Sequence, residues 1–149
     1  MELIEELNVK GQSWRDLLVK PCDVSISLWA YARLGQHPGN RMFGEIEEQA
    51  LLLMGRFNAQ ELSNTLWAYA KLGIQPGGQL LQRIEANCTQ QMQYFNVQGV
   101  ANTAWAYAAL NLVPGGGLLE KLEAKAASLA TSFDPQGLRN CQSPNTRRS

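Results

Sequence analysis

The chain holds one histidine, His37, and three cysteines, Cys22, Cys88 and Cys141, with no C-x-x-C spacing among them. Scattered thiols in odd number suit neither a zinc site nor a disulfide framework, and read as reduced, partly buried side chains of an intracellular protein. Thirteen basic and thirteen acidic residues cancel. There is therefore no whole-molecule field to draw in nucleic acid or an anionic membrane, although a local groove counts for more than the total. No apolar run approaches the roughly 20 residues of a membrane span. The first residues, Met1-Glu2-Leu3-Ile4-Glu5-Glu6, are acidic, unlike a secretory signal or an organelle transit peptide. No catalytic set is evident either. Gly115-Gly116-Gly117 lacks the lysine and spacing of a phosphate-binding loop and reads as a turn. No enzyme activity, cofactor, metal or small-molecule substrate is expected.

What the sequence does have is a repeat. The stretch Leu66-Trp67-Ala68-Tyr69-Ala70-Lys71-Leu72-Gly73 has counterparts in Leu28–Gly35 and Ala104–Asn111, so that Trp29, Trp67 and Trp105 stand 38 residues apart. Phe57, Phe95 and Phe133 keep the same phase, as do Gln60, Gln98 and Gln136, then Asn64, Asn102 and Asn140. Pro38, Pro76 and Pro114 follow suit, each with a glycine after it. In phase with His37 stand Gln75 and Val113, so nothing pairs with that histidine and a turn role fits it. Fixed-period self-similarity in this range marks a repeat architecture.

Each unit reads as a helical hairpin. Asn58 is a good N-cap, with Glu61 placed to close a capping box. Gly73 is a favoured stop, Pro76-Gly77-Gly78 makes the turn, and a second helix is predicted from about Gln79 to Tyr94. Its apolar residues Leu80, Leu81, Ile84, Cys88 and Met92 recur at helical spacing, as do Met42, Phe43, Ile46, Ala50 and Met54. The expected fold is all-α, an α-solenoid of about three two-helix hairpins. The divisions are 1–18 (a partial N-terminal repeat or helix), 19–56, 57–94 and 95–132 (repeats 1 to 3), 133–140 (the start of an aborted fourth repeat) and 141–149 (a disordered tail). Asp134-Pro135 gives a helix-start signal, after which the pattern stops, as in a fragment of a longer array.

The unit Phe-x-x-Gln-x-Leu-x-Asn-x-x-Trp-Ala-Tyr-Ala-x-Leu-Gly, followed shortly by proline, resembles the octotricopeptide repeat, a roughly 38-residue helical-hairpin family of algal and other protist organelles, related in style to the repeats of FAST-kinase-like proteins. The resemblance spans about residues 19–140. It implies sequence-specific binding of single-stranded organellar RNA in transcript stability, processing, splicing or translation, in a chloroplast or mitochondrion. Family members often carry a C-terminal RAP domain, which this chain lacks. The family's Pro-Pro-Pro-Glu-Trp signature is also missing; Gln75-Pro76-Gly77-Gly78 sits in that region. In the first repeat Ile26 stands at the asparagine position and Cys22 at the glutamine position.

Comparison between copies sorts the residues. Trp29, Tyr31, Trp67, Tyr69, Trp105 and Tyr107 recur in every copy and read as scaffold packed between repeats. Trp67 borders a polar stripe, so stacking on a base is its other reading. Positions that are polar and differ between copies are where a modular reader would store its choices. Asp23 and Glu61 (with Gly99) form one such series, and Arg33 and Lys71 (with Ala109) another. Gln60, Asn64, Gln98 and Asn102 carry the donor–acceptor pairs needed to meet a base edge, as modular RNA readers do with two or three side chains per repeat. The alternative for Asn64 and Asn102 is structural, an amide bonded to the backbone of a neighbouring repeat. Arg33 and Lys71 are candidates for phosphate contact or plain solvated charges. Glu45, Glu47, Glu48, Glu85, Glu120 and Glu123 on the second helices would repel phosphate, so RNA is expected along the first helices.

Stacked helices lie about 8–10 Å apart, so three hairpins would read roughly three bases. That is too short an address for one transcript without a longer array or a partner, such as another repeat protein. The competing readings are a protein-binding scaffold of the HEAT or armadillo kind, and a non-functional fragment. A steep salt dependence of RNA affinity would separate the first from an RNA reader, because phosphate contacts release counterions.

Overall fold

A computed structural model describes residues 18–132. The expectations for residues 1–17, for Asp134-Pro135 and the rest of 133–140, and for the 141–149 tail with Cys141 lie outside the described residues. Among the described residues six α-helices follow one another: α1 (Pro21–Leu34), α2 (Asn40–Leu53), α3 (Ala59–Leu72), α4 (Gly78–Gln90), α5 (Val97–Ala109) and α6 (Leu118–Ser132). There is no strand among the described residues. The fold is all-α, as the period predicts.

The first helices begin and end by one local chemistry. Asn58 accepts a hydrogen bond from the Glu61 N–H at 2.8 Å, and the Glu61 carboxylate accepts from the Asn58 N–H at 2.9 Å, closing the capping box the sequence predicts. Asn96 caps α5 through the Gly99 N–H at 2.8 Å, and Asp23 accepts from the Lys20 N–H at 2.9 Å ahead of α1. At the other end Gly35, Gly73 and Asn111 all adopt left-handed backbone, with φ of 65°, 71° and 58°. In each case the next residue's N–H returns to the carbonyl of the repeat tyrosine: Gln36 to Tyr31, Ile74 to Tyr69, Leu112 to Tyr107, at 2.9–3.0 Å. Asparagine replaces glycine in the third copy because its short polar side chain tolerates this conformation.

The second helix of the middle repeat is shorter than the sequence predicts. It stops at Gln90, and Met92–Tyr94 form a separate 3-10 turn, as Met54–Arg56 do after α2. The tighter turn swings the chain off the helix axis and delivers Phe57 and Phe95, both buried, into the junction with the next hairpin. The Gln91 amide fixes this corner by donating to the Phe57 carbonyl.

The hairpins stack in two layers. α3 lies between α1 and α5, and these are the most extensive helix–helix contacts; α4 touches both α2 and α6. Leu62, Leu66, Ala68 and Tyr69 of α3 are fully buried, with Ile46, Leu80, Ile84 and Cys88 supplied by the second layer. The buried hydroxyls Thr65 and Thr103 donate to the carbonyls of Glu61 and Gly99, four residues back. No buried side-chain polar atom of the described residues lacks a partner.

One contact ties the layers across each junction. The Tyr69 hydroxyl donates to Glu47 Oε1 at 2.9 Å, and the Gly77 N–H donates to the same oxygen at 3.2 Å. One period on, the Tyr107 hydroxyl donates to Glu85 Oε1 at 2.7 Å and the Gly115 N–H at 3.2 Å. Tyr31, in the first copy, meets only Met42 Sδ at 3.4 Å. Glu47 and Glu85 thus correct the sequence-based view of the second-helix acids as a purely repulsive surface: both point into the stack.

A hydrogen bond to a charged acceptor contributes about 1.5–3 kcal/mol. Tyr107→Phe should lose roughly that amount in urea denaturation, whereas Tyr31→Phe should cost under about 0.5 kcal/mol; equal losses would remove the carboxylate from the explanation. Burial, then the neighbouring Glu47 or Glu85, raises the hydroxyl pKa of Tyr69 and Tyr107, and burial followed by Glu85 pushes the Cys88 thiol from 9.0 up to about 12. The native state keeps these protons to higher pH than the unfolded chain does. Their stabilisation is therefore complete below pH 9, the unperturbed thiol value, and declines as pH climbs through the tyrosine value of 10 towards about 12. The urea midpoint should accordingly be lower at pH 11 than at pH 8, and an unchanged midpoint would contradict this linkage.

Candidate functional site

Spacings of four, three and four residues place one stripe along each first helix. On α3 it reads Gln60, Asn64, Trp67, Lys71; on α5, Gln98, Asn102, Trp105, Ala109; on α1, Cys22, Ile26, Trp29, Arg33. Trp29 and Trp105 are 42% and 44% exposed, and Trp67 is partly buried. Trp29 and Trp105 are thus more exposed than the scaffold reading of them implies, whereas Trp67 packs against the core. Tyrosine follows tryptophan by two residues, about 200° around the helix, so when Tyr69 and Tyr107 point at the second layer the tryptophans face outward. The rings of Trp67 and Trp105 lie 6.4 Å apart at 35°, and the Arg33 guanidinium sits 5.4 Å from the Trp29 ring centre.

Between the N-terminal halves of α3 and α5 opens a groove of about 570 Å³. Gln60, Ser63 and Asn64 line it from α3, Gln98, Gly99 and Asn102 from α5, and Gln91, Tyr94 and Phe95 from the connecting corner. Among the described residues no charged side chain lines it, and seven of its twelve lining residues carry a primary amide. Several are committed: Asn58 and Asn96 cap helices and Gln91 holds the Phe57 carbonyl. Gln98 Nε2 donates to Asn102 Oδ1 at 2.9 Å within α5. The Asn64 amide makes no hydrogen bond among the described residues, and neither it nor Asn102 bonds the backbone of a neighbouring repeat.

Four of the eight residues singled out from the sequence, Gln60, Asn64, Gln98 and Asn102, thus share one site. Asp23 and Glu61 do not join it, since their carboxylates are committed to the starts of α1 and α3. Arg33 and Lys71 are exposed further along the stripe, outside the groove. Tyr94, 70% exposed at the rim, was missed. Its counterparts are Arg56 and Ser132, so the rule of seeking positions that vary between copies would have found it.

The model of the Tbc2 translation factor N-terminal domain family matches residues 40–139, which include α2 to α6 and both walls of the groove. The chain belongs to that family. No curated protein matches the chain. The family match begins at the first residue of α2, so α1, with Cys22 and Ile26 on its stripe, falls outside it. His37 is a turn residue, its Nδ1 accepting from the Gly39 N–H at 2.8 Å. Gly116 and Gly117 turn the chain into α6 with φ of 61° and 82°. Among the described residues no group of three His, Cys, Asp or Glu side chains is placed to hold a metal ion, and no helix is long and apolar enough to cross a membrane.

Because Asn64 supports no neighbour, Asn64→Ala should change the unfolding free energy by less than about 0.5 kcal/mol, as surface substitutions do. Loss of more than about 1 kcal/mol in urea denaturation would return Asn64 to a structural role.

Proposed function

We propose that the chain is a non-catalytic module that binds single-stranded RNA within an organellar translation factor. The observation that carries this reading is the amide-walled, uncharged groove between α3 and α5, where Gln60, Asn64, Gln98 and Asn102 converge beside an exposed tyrosine. Primary amides carry both a donor and an acceptor, which is what a base edge requires. Half-exposed Trp105, tilted against Trp67, supplies a platform on which a further base can stack. Membership of a translation-factor family supports an RNA context, and the resemblance to the octotricopeptide repeat supports an organellar one.

Charge has a small part in this reading. Arg33 and Lys71 are the cations on the first-helix stripes. Two phosphate contacts give a slope of roughly −1.4 for log affinity against log salt on a single strand. A randomised single-stranded RNA pool should be shifted in gels by the full chain at low salt and lose about seven-fold in affinity between 50 and 200 mM salt, a shallower dependence than the steep one the sequence reading asks of an RNA reader. Trp105→Ala should weaken binding by about 1–3 kcal/mol, the usual worth of one stacked base, while leaving the helical circular dichroism unchanged. Absence of any shift from a helical sample would refute RNA binding and favour a protein-binding scaffold.

A further inference from the structure

The repeat invites the idea that each hairpin reads one base. The groove has a different geometry, because its walls come from two hairpins and its corner from the segment between them. Resting on the RNA-binding reading above, we propose that the groove is a single base-reading site built across the junction of α3 and α5, so that the unit of recognition is the junction and not the repeat.

The hydrogen-bonding inventory supports this. The bond from Gln98 Nε2 to Asn102 Oδ1 orients both amides and leaves Gln98 Oε1 as an acceptor and Asn102 Nδ2 as a donor. Across the groove the Asn64 amide is uncommitted among the described residues. An unpaired base entering between them meets donors and acceptors on both sides, and its face can lie against Tyr94 at the rim. A base in a duplex is stacked and paired and cannot enter between two walls without leaving the helix, whereas an unstacked base of a single strand can, so the proposed ligand is single-stranded.

The other junction of first helices lacks these features. On α1 the places of Gln60 and Asn64 are taken by Cys22 and by Ile26, which is 62% exposed and has no polar group. At the third position of α3 stands Glu61, folded back on Asn58, where α5 has Gly99. A Cβ at Gly99 would already lie 3.2 Å from the Phe95 ring and 3.7 Å from Ser63 Oγ, so a side chain there would crowd the groove floor. The described residues thus hold one reading junction.

The test is selection of a 12-nucleotide single-stranded RNA library, randomised in its central positions, on the full chain, followed by sequencing of the bound fraction. Wild type should specify one position strongly. Asn64→Ala and Asn102→Ala, 38 residues apart and on different helices, should each reduce the preference at that same position, by about five-fold or more for a lost base contact. If the two substitutions weaken preferences at different positions, each repeat reads its own base and the junction proposal falls while RNA binding stands. RNA bound with preferences that neither substitution alters would also overturn it. A helical sample that retains no RNA would defeat the underlying reading as well.

Discussion

The stack depends on a carboxylate shared between neighbouring hairpins. Glu47 and Glu85 each receive a tyrosine hydroxyl from the next first helix and a backbone N–H from the turn after it. Hydrophobic burial is non-directional and would tolerate sliding of one hairpin over another. A single oxygen accepting two donors from two parts of the next unit fixes both the distance and the tilt, because either displacement breaks a bond to a charged group. Tyr69 and Tyr107 therefore serve a polar role as well as an apolar one. The glycines after Pro76 and Pro114 have their own reason: the N–H must approach the carboxylate closely, and a Cβ on Gly77 or Gly115 would lie 3.4 or 3.2 Å from that same group.

The same arrangement divides the two layers by function. The acids that looked like a repulsive surface are partly structural, drawn into the junctions by tyrosine and glycine donors. Glu123 keeps their phase and is exposed, and one tyrosine step further the sequence has Asn145, which lacks the phenol. The first helices keep their outward stripes free of acids, with a tryptophan on each and, on α3 and α5, amides towards the other end. A scaffold held from the second layer leaves the first layer's outer face available for a ligand.

Much of this was legible in the sequence because it repeats. The period gave the hairpins, Asn58 and Glu61 gave the start of α3, and Gly73 its end. These are local rules, each satisfied within a few residues. The tryptophan orientation was not legible, since a large aromatic at helical spacing satisfies a core pattern and a platform pattern equally. Nor was the role of Glu47 and Glu85, because an acid on an amphipathic helix looks solvated until its partner 22 residues further on is known. Glu61 carried two readings at once, cap and reader, and the local hydrogen bond prevailed. The groove is a property of two adjacent copies, whereas comparison in phase lines copies up and hides what lies between them.

Regular repeats need not give equivalent sites. The scaffold residues fix the junctions alike, yet the α3–α5 junction has Asn64 and Gly99 where the α1–α3 junction has Ile26 and a Glu61 folded onto Asn58. The absence of charge in the groove then has a consequence for selectivity. Cations would raise affinity for any strand through phosphate, adding nothing to discrimination. On the proposed RNA-binding reading, the amides of Gln98 and Asn102 would discriminate instead by what a wrong base fails to satisfy: a donor or acceptor shut away from water without a partner costs about 1–3 kcal/mol. A short module of this kind gains choice at one position and little overall grip. Tight binding to one transcript therefore calls for several such junctions acting together, and effective concentration along a shared chain is what makes their small preferences multiply.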